Sequence, residues 1–382
     1  MKTIIALLLV LSFCNCVQES VINPVEFQEF IIPSSTRVVE NNDWAAYYID
    51  TASDDSMFVV ESALYDKYKF QKGQIIVIGN DQGILRKITA VQRQDETILM
   101  FVDSTSITDA MQRGHAHWQT RLNDIESSIV LYKSNYVEVS QQPPVLEIGF
   151  DVVMDDADAD TTTTNDQITI SGSMRLDTMF DLDFSVDNRL LDMCDWEANI
   201  NQEVDMSMHV MKACDVNHQV KLVSIQYPGV HFTAGTLPVT MAPIVTVWLG
   251  VSGTTNGAAQ TSIYRQTFTK VGLQLTPSGV WIPYSDFRNI YTTQGSSVAS
   301  QANIQSYVTV TVDFPFYQQP GPHVTTRLTQ ELLGNSTWAR RWELYLTAKA
   351  EIGIKTAIIQ AGLENYLRDD VVAYRKRIAQ GP

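Results

Sequence analysis

The residues of this chain that most resemble a metal site are four aspartates in one acidic, threonine-rich segment. They are Asp155, Asp156, Asp158 and Asp160. Carboxylate oxygens are the ligands that calcium prefers, but the segment lacks the glycine of a calcium-binding loop, and Gln167 stands where such a loop has its bidentate glutamate. The composition favours a solvated acidic loop. A low-affinity calcium site at Asp156, Asp158 and Asp160 is the alternative.

Two histidines, His115 and His117, alternate in the sequence as in some zinc sites. Zinc needs four ligands, no cysteine lies nearby, and the distant Glu126 does not complete a four-ligand site. We interpret this segment as a polar loop. His209 and His218 flank the later cysteines and are interpreted as surface residues, so no metal or cofactor is predicted here.

No pattern of nucleophile and base predicts an enzyme. The G-x-S-x-G turn of serine hydrolases is absent, and no histidine is placed to suggest a triad. Paired carboxylates for glycoside hydrolysis stay open, because only the fold brings them together. Arg86 and Lys87 are adjacent in a predicted strand, so their side chains should point to opposite faces. The chain is therefore predicted to be non-enzymatic, with no catalytic or cofactor-binding residue.

Aromatic side chains are the remaining candidates for ligand contact. They could form sugar-stacking platforms or an adhesive surface, whereas ordinary core packing explains most aromatics. The candidates are Trp44, Tyr47, Tyr48, Trp118, Trp248, Trp281, Tyr284, Trp338 and Trp342.

The N-terminal residues predict secretion. Lys2 precedes an unbroken apolar run over residues 4–11, which has the form of a signal peptide cleaved near Cys14 or Cys16 and is too short to span a bilayer. A lipoprotein signal is disfavoured because Phe13 is bulky before the cysteine. The mature protein is expected to be extracellular, with no membrane span.

Removal of residues 1–16 leaves two cysteines, Cys194 and Cys214. In an oxidising compartment they predict one disulfide. It would close a loop of about 20 residues and contribute about 3 kcal/mol on the chain-entropy model. Two separate buried thiols are the alternative. Asn335 begins the only N-x-S/T sequon and is a candidate glycosylation site.

Composition limits the classes of partner. The 382 residues carry a net charge of −16, and 45% of them are hydrophobic. This composition is typical of a folded protein of two domains, or of one large β-rich domain. The negative charge argues against a nucleic acid or an anionic membrane as the main partner.

The most regular part of the chain, residues 73–114, predicts three strands followed by a short helix. The strands are expected at residues 75–79, 84–92 and 97–102. Ser106 and Asp109 have the spacing of a capping box at the start of the helix. Gly114 is placed to end it in the left-handed conformation.

Two further helices are predicted. Trp118, Leu122, Ile125 and Ile129 have the spacing of one helix face. Residues 365–379 are polar and basic and are interpreted as a short C-terminal helix.

The second half of the chain alternates apolar and polar residues. The alternation covers residues 168–186 and returns over 308–314 and 344–354, as is typical of long antiparallel strands with one dry face. Two such faces must be buried against each other. The predicted fold class is mainly β, with a small α+β N-terminal module followed by a large antiparallel β-sandwich or barrel-like domain.

The predicted domain organisation follows the change in pattern, with a linker at the prolines 143–144. It comprises a signal peptide at 1–16, an irregular lead-in at 17–40, the α+β module at 41–140 and the β-rich domain at 145–382.

One segment carries a pattern formed by Gly83, Leu85, Arg86, Lys87, Thr89, Val91, Thr105, Asp109 and Ala110. With this pattern it resembles a family of large, uncharacterised secreted β-rich proteins of bacteria, protists and algae. Residues 237–251 and 281–283 are similar to two further stretches of that family, whereas Ile107 departs from the expected threonine. The resemblance implies a β-rich extracellular architecture and no catalytic residues.

Three functions remain open. The first is a secreted structural, self-assembling or adhesive protein, favoured by long strands that offer edges for pairing. The second is a soluble carbohydrate- or lipid-binding protein. The third is a hydrolase whose carboxylates are scattered in the sequence.

Overall fold

The fold is mainly β, as predicted. The computed structural model describes residues 30–51, 56–80, 83–122, 128–142, 145–156, 158–159, 163–299, 301–335, 341–354 and 367–381. The predicted signal peptide lies outside these residues. In them, strands β1 to β22 form four sheets, none of which closes into a barrel, and the short helices lie in the N-terminal part.

The N-terminal part is a six-stranded sheet, here called sheet I, with the order β1-β4-β5-β6-β3-β2. Its strands are β1 (Thr36–Val39), β2 (Tyr48–Thr51), β3 (Met57–Glu61), β4 (Ile75–Ile78), β5 (Ile84–Gln94) and β6 (Thr97–Ser104). Helices α1 (Asn41–Tyr47) and α2 (Ser62–Tyr68) contribute Trp44 and Leu64 to its core. Strand β1 lies within the segment predicted to be irregular. It follows Pro33 and pairs in parallel with β4.

The predicted block over residues 73–114 is confirmed except at its end. Helix α3 (Ile107–Ala110) begins with the expected capping box, in which Asp109 N donates to Ser106 Oγ at 3.2 Å and Ser106 N to Asp109 Oδ2 at 3.4 Å. The assignment of Gly114 as its left-handed stop is wrong. The helix ends at Ala110 with Met111 as an extended C-cap, and Gly114 begins strand β7, where a Cβ would lie 2.5 Å from Cδ1 of Phe30.

The other two predicted helices are also wrong, because both segments are strands. In β7 (Gly114–Arg121), every second residue from Gly114 to Thr120 is less exposed than the residue after it, which is the period of a strand. Strand β8 (Ile129–Lys133) contains the last residue of the supposed helix face. The C-terminal segment is β22 (Leu367–Gly381), which completes a sheet by pairing with β21.

Most of the remaining described chain forms two seven-stranded sheets, and the strands β14 and β15 pair with each other in a separate two-stranded sheet. Sheet II has the order β18-β17-β12-β11-β10-β9, with β7 also paired to β11, and sheet III has the order β22-β21-β20-β19-β16-β13-β8. The remaining strands are β9 (Val137–Gln142), β10 (Val145–Asp156), β11 (Gln167–Asp187), β12 (Leu190–Val210), β13 (Cys214–Gln226), β14 (Val230–Ala234), β15 (Leu237–Met241), β16 (Ile244–Thr255), β17 (Ala259–Leu275), β18 (Trp281–Val298), β19 (Ala302–Asp313), β20 (Pro322–Asn335) and β21 (Arg341–Ile354).

Sheets II and III pack face to face, and their alternating residues form the core. The rings of Phe180 in sheet II and Phe314, which directly follows β19 of sheet III, have centroids 3.9 Å apart, and Trp196 packs edge-on to Phe314 at 5.6 Å. The three predicted alternating segments are the strands β11, β19 and β21. Strands β7, β8 and β9 precede the predicted boundary near residue 142, yet each pairs with a strand beyond it.

One glycine of sheet II has a backbone that no other residue fits. Gly172 in β11 has φ 152°, and a Cβ there would lie 1.9 Å from the carbonyl oxygen of Asp205 on β12. We expect Gly172→Ala to lower the free energy of unfolding by about 2–4 kcal/mol, since the clash is with backbone. Chemical denaturation measures this change.

The matched control is Gly149→Ala on the neighbouring strand β10. A Cβ at Gly149 has only Glu138 Cβ near it, at 3.9 Å. This substitution should change stability by less than about 1 kcal/mol. Equal effects of the two substitutions would contradict the described backbone of β11.

Candidate functional site

Strand β8 is an exposed apolar edge. It ends sheet III, and within the described residues it pairs only with β13. Ile129, Val130, Leu131 and Tyr132 are 61%, 44%, 52% and 45% exposed, so neither face of the strand is covered. Opposite Ser224 and Ile225 the register shifts, which leaves Leu131 unpaired. The strand therefore presents its backbone groups and its side chains together.

The other edges of the two large sheets carry features that oppose pairing. Strand β22 carries the basic run 375–377, β18 contains Pro283 and the charged Asp286 and Arg288, and β9 contains Glu138. Charges and proline are the usual means by which natural proteins protect an edge strand. Among the described edges of sheets II and III, β8 is the one with an apolar run. The sequence analysis missed this edge because Ile129 fitted the spacing of a helix face. The four consecutive apolar residues 129–132 were the signal that could have identified a strand.

The outer face of sheet II carries a ladder of polar side-chain pairs between β7 and β11. His115 Nε2 lies 2.5 Å from Asp183 Oδ1, and His117 Nε2 lies 2.9 Å from Asp181 Oδ1. The ladder continues at one end with Arg113 and Asp187, at 2.7 Å. The interpretation of His115 and His117 as loop residues is therefore wrong. They are strand residues, each paired with a carboxylate.

Next to this ladder, Tyr284 connects two carboxylates on β12. Its hydroxyl lies 2.9 Å from Asp195 Oδ1 and 3.1 Å from Glu197 Oε2, and Lys270 pairs with Glu197 at 2.6 Å. Burial raises the pKa of Asp195, and the charges of Glu197, Asp181 and Asp183 raise it further, against the hydrogen bond from Tyr284. For Glu197, burial acts upward, but hydrogen bonds from Lys270, Asn199 and Tyr284 hold its pKa below the usual value. The fold therefore shifts the pKa values of these two neighbouring acids in opposite directions.

A groove of about 530 Å³ lies on the same outer face. Its lining includes the apolar side chains of Met179, Phe268 and Ile290, of which Phe268 is 38% and Ile290 is 57% exposed. Its charged lining consists of the ion pairs Arg121–Asp177, at 3.1 Å, and Arg288–Asp286, at 3.7 Å, together with Lys270. An apolar surface among polar groups is typical of a ligand site. Sequence reasoning missed it because its residues come from five strands.

The acidic segment brings three carboxylates together, but not the predicted three. Oxygen atoms of Asp156, Asp158 and Asp166 lie within 4.8 Å of one another, while Asp160 lies outside the described residues. Gln167 is the first residue of β11, and its Nε2 donates to Asp156 Oδ2 at 3.2 Å. An all-oxygen group fits calcium by donor type. Exposed acidic groups also occur without an ion, so calcium stays a prediction.

The predicted disulfide between Cys194 and Cys214 is wrong, because both cysteines are free thiols. Cys194 lies near the start of β12 and Cys214 follows the end of that strand. The extended strand between them is roughly 50 Å long, far beyond the 7 Å between Cα atoms that a disulfide allows. Burial raises the pKa of both thiols. The prediction failed because a loop was assumed where the chain forms one long strand.

The predicted aromatic residues do not gather at one place. Trp44 is buried in sheet I, where it stacks on Tyr48 with ring centroids 5.1 Å apart. Trp248 lies beneath Lys221, whose Nζ is 5.2 Å from its ring, and Trp342 covers Gly381 across β21 and β22. Trp338 lies outside the described residues. The sequon residue Asn335 is exposed at the end of β20, and His209 and His218 are also exposed.

No known protein family, curated protein or solved structure matched this chain. The resemblance described above therefore stays a prediction. In the described part of the chain, no helix is long and apolar enough to cross a membrane.

The raised pKa of Asp195 predicts a pH-dependent effect of neutralising it. Because the fold disfavours its charged form, the Asp195 carboxylate lowers the stability of the folded protein at neutral pH. This loss of stability disappears as the pH falls and the carboxyl is protonated. We expect Asp195→Asn to raise Tm by about 1–2 °C at pH 7. The gain should vanish near pH 3, where carboxyls are protonated in both states. Thermal unfolding at several pH values measures it.

The control is Glu197→Gln on the same strand. Because the fold lowers the pKa of Glu197, its charge stabilises the protein at neutral pH. This substitution should lower Tm at pH 7 and have less effect in acid. A lower Tm for Asp195→Asn at pH 7 would contradict the assignment.

Proposed function

We propose that this chain is a secreted, non-enzymatic extracellular protein that works by self-association, and that β8 is its contact with a second copy. The observation that supports this is the apolar edge at residues 129–132. An edge strand offers a row of unpaired backbone donors and acceptors that another strand can complete. In β8 that row coincides with side chains that are exposed on both faces.

Burial of these side chains provides the driving force. Each of the four apolar residues of β8 is at least 44% exposed. A second copy paired along β8 would cover them, and removing apolar surface from water contributes about 25 cal/mol per Å². Because the strand has only five residues, the contact is small and its affinity modest.

The charge of the chain acts against association but leaves the edge itself accessible. A net charge of −16 makes two copies repel one another at long range. Locally, Lys133 ends β8, and Lys221 lies with its Nζ 5.4 Å from the ring of Tyr132. Salt screens long-range repulsion and does not weaken apolar burial. Self-association should therefore strengthen with ionic strength.

Replacing two edge residues with lysine tests this proposal. We expect the wild type to approach twice its monomer mass as concentration and salt increase, measured by sedimentation equilibrium. Ile129→Lys with Leu131→Lys should weaken association at least about tenfold, because the charges would be buried at the contact.

The matched control is Ile282→Lys with Ile290→Lys on β18, an edge of sheet II. These two residues are 48% and 57% exposed, and the charge change is the same. The control should associate as the wild type does. A monomeric wild type at high concentration and salt, or a control that fails to associate while the β8 variant does, would rule out this contact.

The groove on sheet II favours a second candidate, a carbohydrate-binding function. Phe268 offers an exposed ring, and the side-chain amides of Asn199 and Asn201 lie in the same lining. Aromatic stacking combined with amide hydrogen bonds suits a sugar ring. Hydrolysis has less support, because the lining carboxylates Asp177 and Asp286 are both in ion pairs with arginine.

Binding to a panel of neutral and acidic oligosaccharides on an array tests this candidate. A glycan that binds the wild type should lose at least about tenfold in affinity to Phe268→Ser, because the stacking surface is removed. Ile129→Lys, far from the groove in sequence and on the other sheet, serves as the control. An array without any bound glycan would dismiss the candidate.

A further inference from the structure

A polar track crosses the space between sheets II and III. Gln202 on β12, Thr267 on β17 and Asn289 on β18 are successive partners across sheet II. Gln202 Nε2 donates to Thr326 Oγ1 on β20 at 2.9 Å, so the track reaches sheet III. Arg265 lies two residues before Thr267, on the same face of β17, and is 3% exposed. A guanidinium group is thus buried between the two sheets.

All the partners of Arg265 that the structure describes are uncharged. Its Nε donates to Asn289 Oδ1 at 2.8 Å and to Thr267 Oγ1 at 3.1 Å, and its Nη1 donates to the carbonyl oxygen of Thr347 at 3.0 Å. Among the described residues, no carboxylate is paired with it. Burial lowers the pKa of Arg265 to about 10, so the group is still charged at neutral pH. A buried charge without a counter-charge is costly.

Two hydrogen-bond donors at this place are buried and lack a partner within the described part of the chain. They are Nη2 of Arg265 and Nδ2 of Asn289. The orientation of the amide is fixed, because Asn289 Oδ1 accepts hydrogen bonds from Arg265 Nε and from Thr267 Oγ1. Its NH₂ group is therefore the end without a partner. Both unused groups of this pair are donors, so their missing partner is an acceptor. Gln202 Oε1, on the next strand but one of the track, is a buried acceptor that also lacks a partner within the described residues.

We propose that Arg265 and Asn289 form a buried binding site for a small monovalent anion, with Arg265 Nη2 and Asn289 Nδ2 as its donors. An anion supplies both the missing acceptor and the missing counter-charge, whereas a water molecule supplies only the first. Two sources share this chemistry, a halide ion and the carboxylate of an amphiphile such as a fatty acid. The site does not depend on self-association through β8.

The place where β18 meets β22 gives the anion a route to this site. Asn289 is only half-buried, and within the described residues the two strands contact each other without a ladder of backbone hydrogen bonds. Ser285 Oγ donates to the carbonyl oxygen of Val371 at 2.7 Å, and the rings of Phe287 and Tyr374 lie 5.3 Å apart. This seam is lined by aromatic rings, which suits an apolar tail.

The seam also carries positive charge at its rim. Lys376 Nζ lies 5.6 Å from the ring centroid of Tyr291, which is the cross-strand partner of Arg265. In a chain with a net charge of −16, a cation at the mouth and another in the interior create a local path that favours an anion. Charge and hydrogen-bond demand therefore point to the same kind of ligand.

Bromide is the first probe, because it can be located directly. Crystals of the full chain soaked in sodium bromide should show an anomalous peak within hydrogen-bond distance of Arg265 Nη2 and Asn289 Nδ2. In solution, the Tm of the wild type should rise by roughly 2–4 °C from low to high bromide, because a ligand bound only by the folded state stabilises it.

Two substitutions identify the site in the same titration. Arg265→Met removes the charge but keeps most of the volume, and should abolish the bromide-dependent part of the rise in Tm. Asn289→Asp places a carboxylate where Asn289 Oδ1 already accepts from Arg265. It should raise Tm at low salt and also abolish the dependence on bromide, because the counter-charge is then built in.

Arg327→Met is the matched control for general salt effects. Arg327 stacks on Tyr307, with Cζ 3.5 Å from the ring centroid, and is not part of the track. This variant should keep the wild-type response to bromide. Equal bromide responses in all four proteins would show a general salt effect. A peak at the site without anomalous signal would show that a water molecule occupies it. Either result would overturn the proposal.

Sodium laurate distinguishes the two sources. Saturable binding by calorimetry that bromide weakens, and that Arg265→Met lowers at least tenfold, assigns the site to the carboxylate of an amphiphile. Bromide binding without laurate binding assigns it to a halide. Binding of neither probe would reject the site.

Discussion

The mutual burial of two apolar sheet faces is the constraint on which the rest of this structure depends. Strands β11 and β12 contain 21 residues each and pair along almost their whole length. A shift of one residue would turn Phe180 and Trp196 to solvent, so the register is fixed by the core. Every residue of the outer face is fixed by the same register. This is why Asp183 and Asp181 lie within reach of His115 and His117 on β7. It is also why Tyr284 reaches Asp195 and Glu197 on β12.

Much of the fold could be predicted from the sequence because long strands repeat one simple period. The alternation over residues 168–186 identifies β11, and the capping box at Ser106 identifies the start of α3. The predictions failed where a few apolar residues fitted two periods. Trp118, Leu122 and Ile129 match a helix face. In the fold, however, β7 pairs with β11 and β8 pairs with β13, and this pairing stabilises the extended conformation. The spacing of apolar residues within a short segment does not show whether that segment pairs with a strand distant in the sequence.

The candidate sites were harder to predict than the fold, for a related reason. Arg265 lies in a segment where both faces contain polar residues, so the sequence does not show which face of β17 is buried. Only the pairing with β12 and β18 places Arg265, Thr267 and Asn289 inside. The disulfide prediction failed for the opposite reason, because residues that are near in sequence are far apart in the structure. Only 19 residues separate Cys194 from Cys214, but most of them form one continuous extended strand.

The unequal edges of the sheets have a consequence for the size of any assembly. Among the described edges of sheets II and III, β8 alone is unprotected, so these two sheets offer one pairing site per molecule. Two copies that pair symmetrically through β8 would consume both available edges, and the outermost strands of the joined sheet would be two copies of β22 with their basic side chains. Such an assembly stops at the dimer. Growth into a fibre would require a second unprotected edge on each molecule, and charge and proline oppose that along β22 and β18.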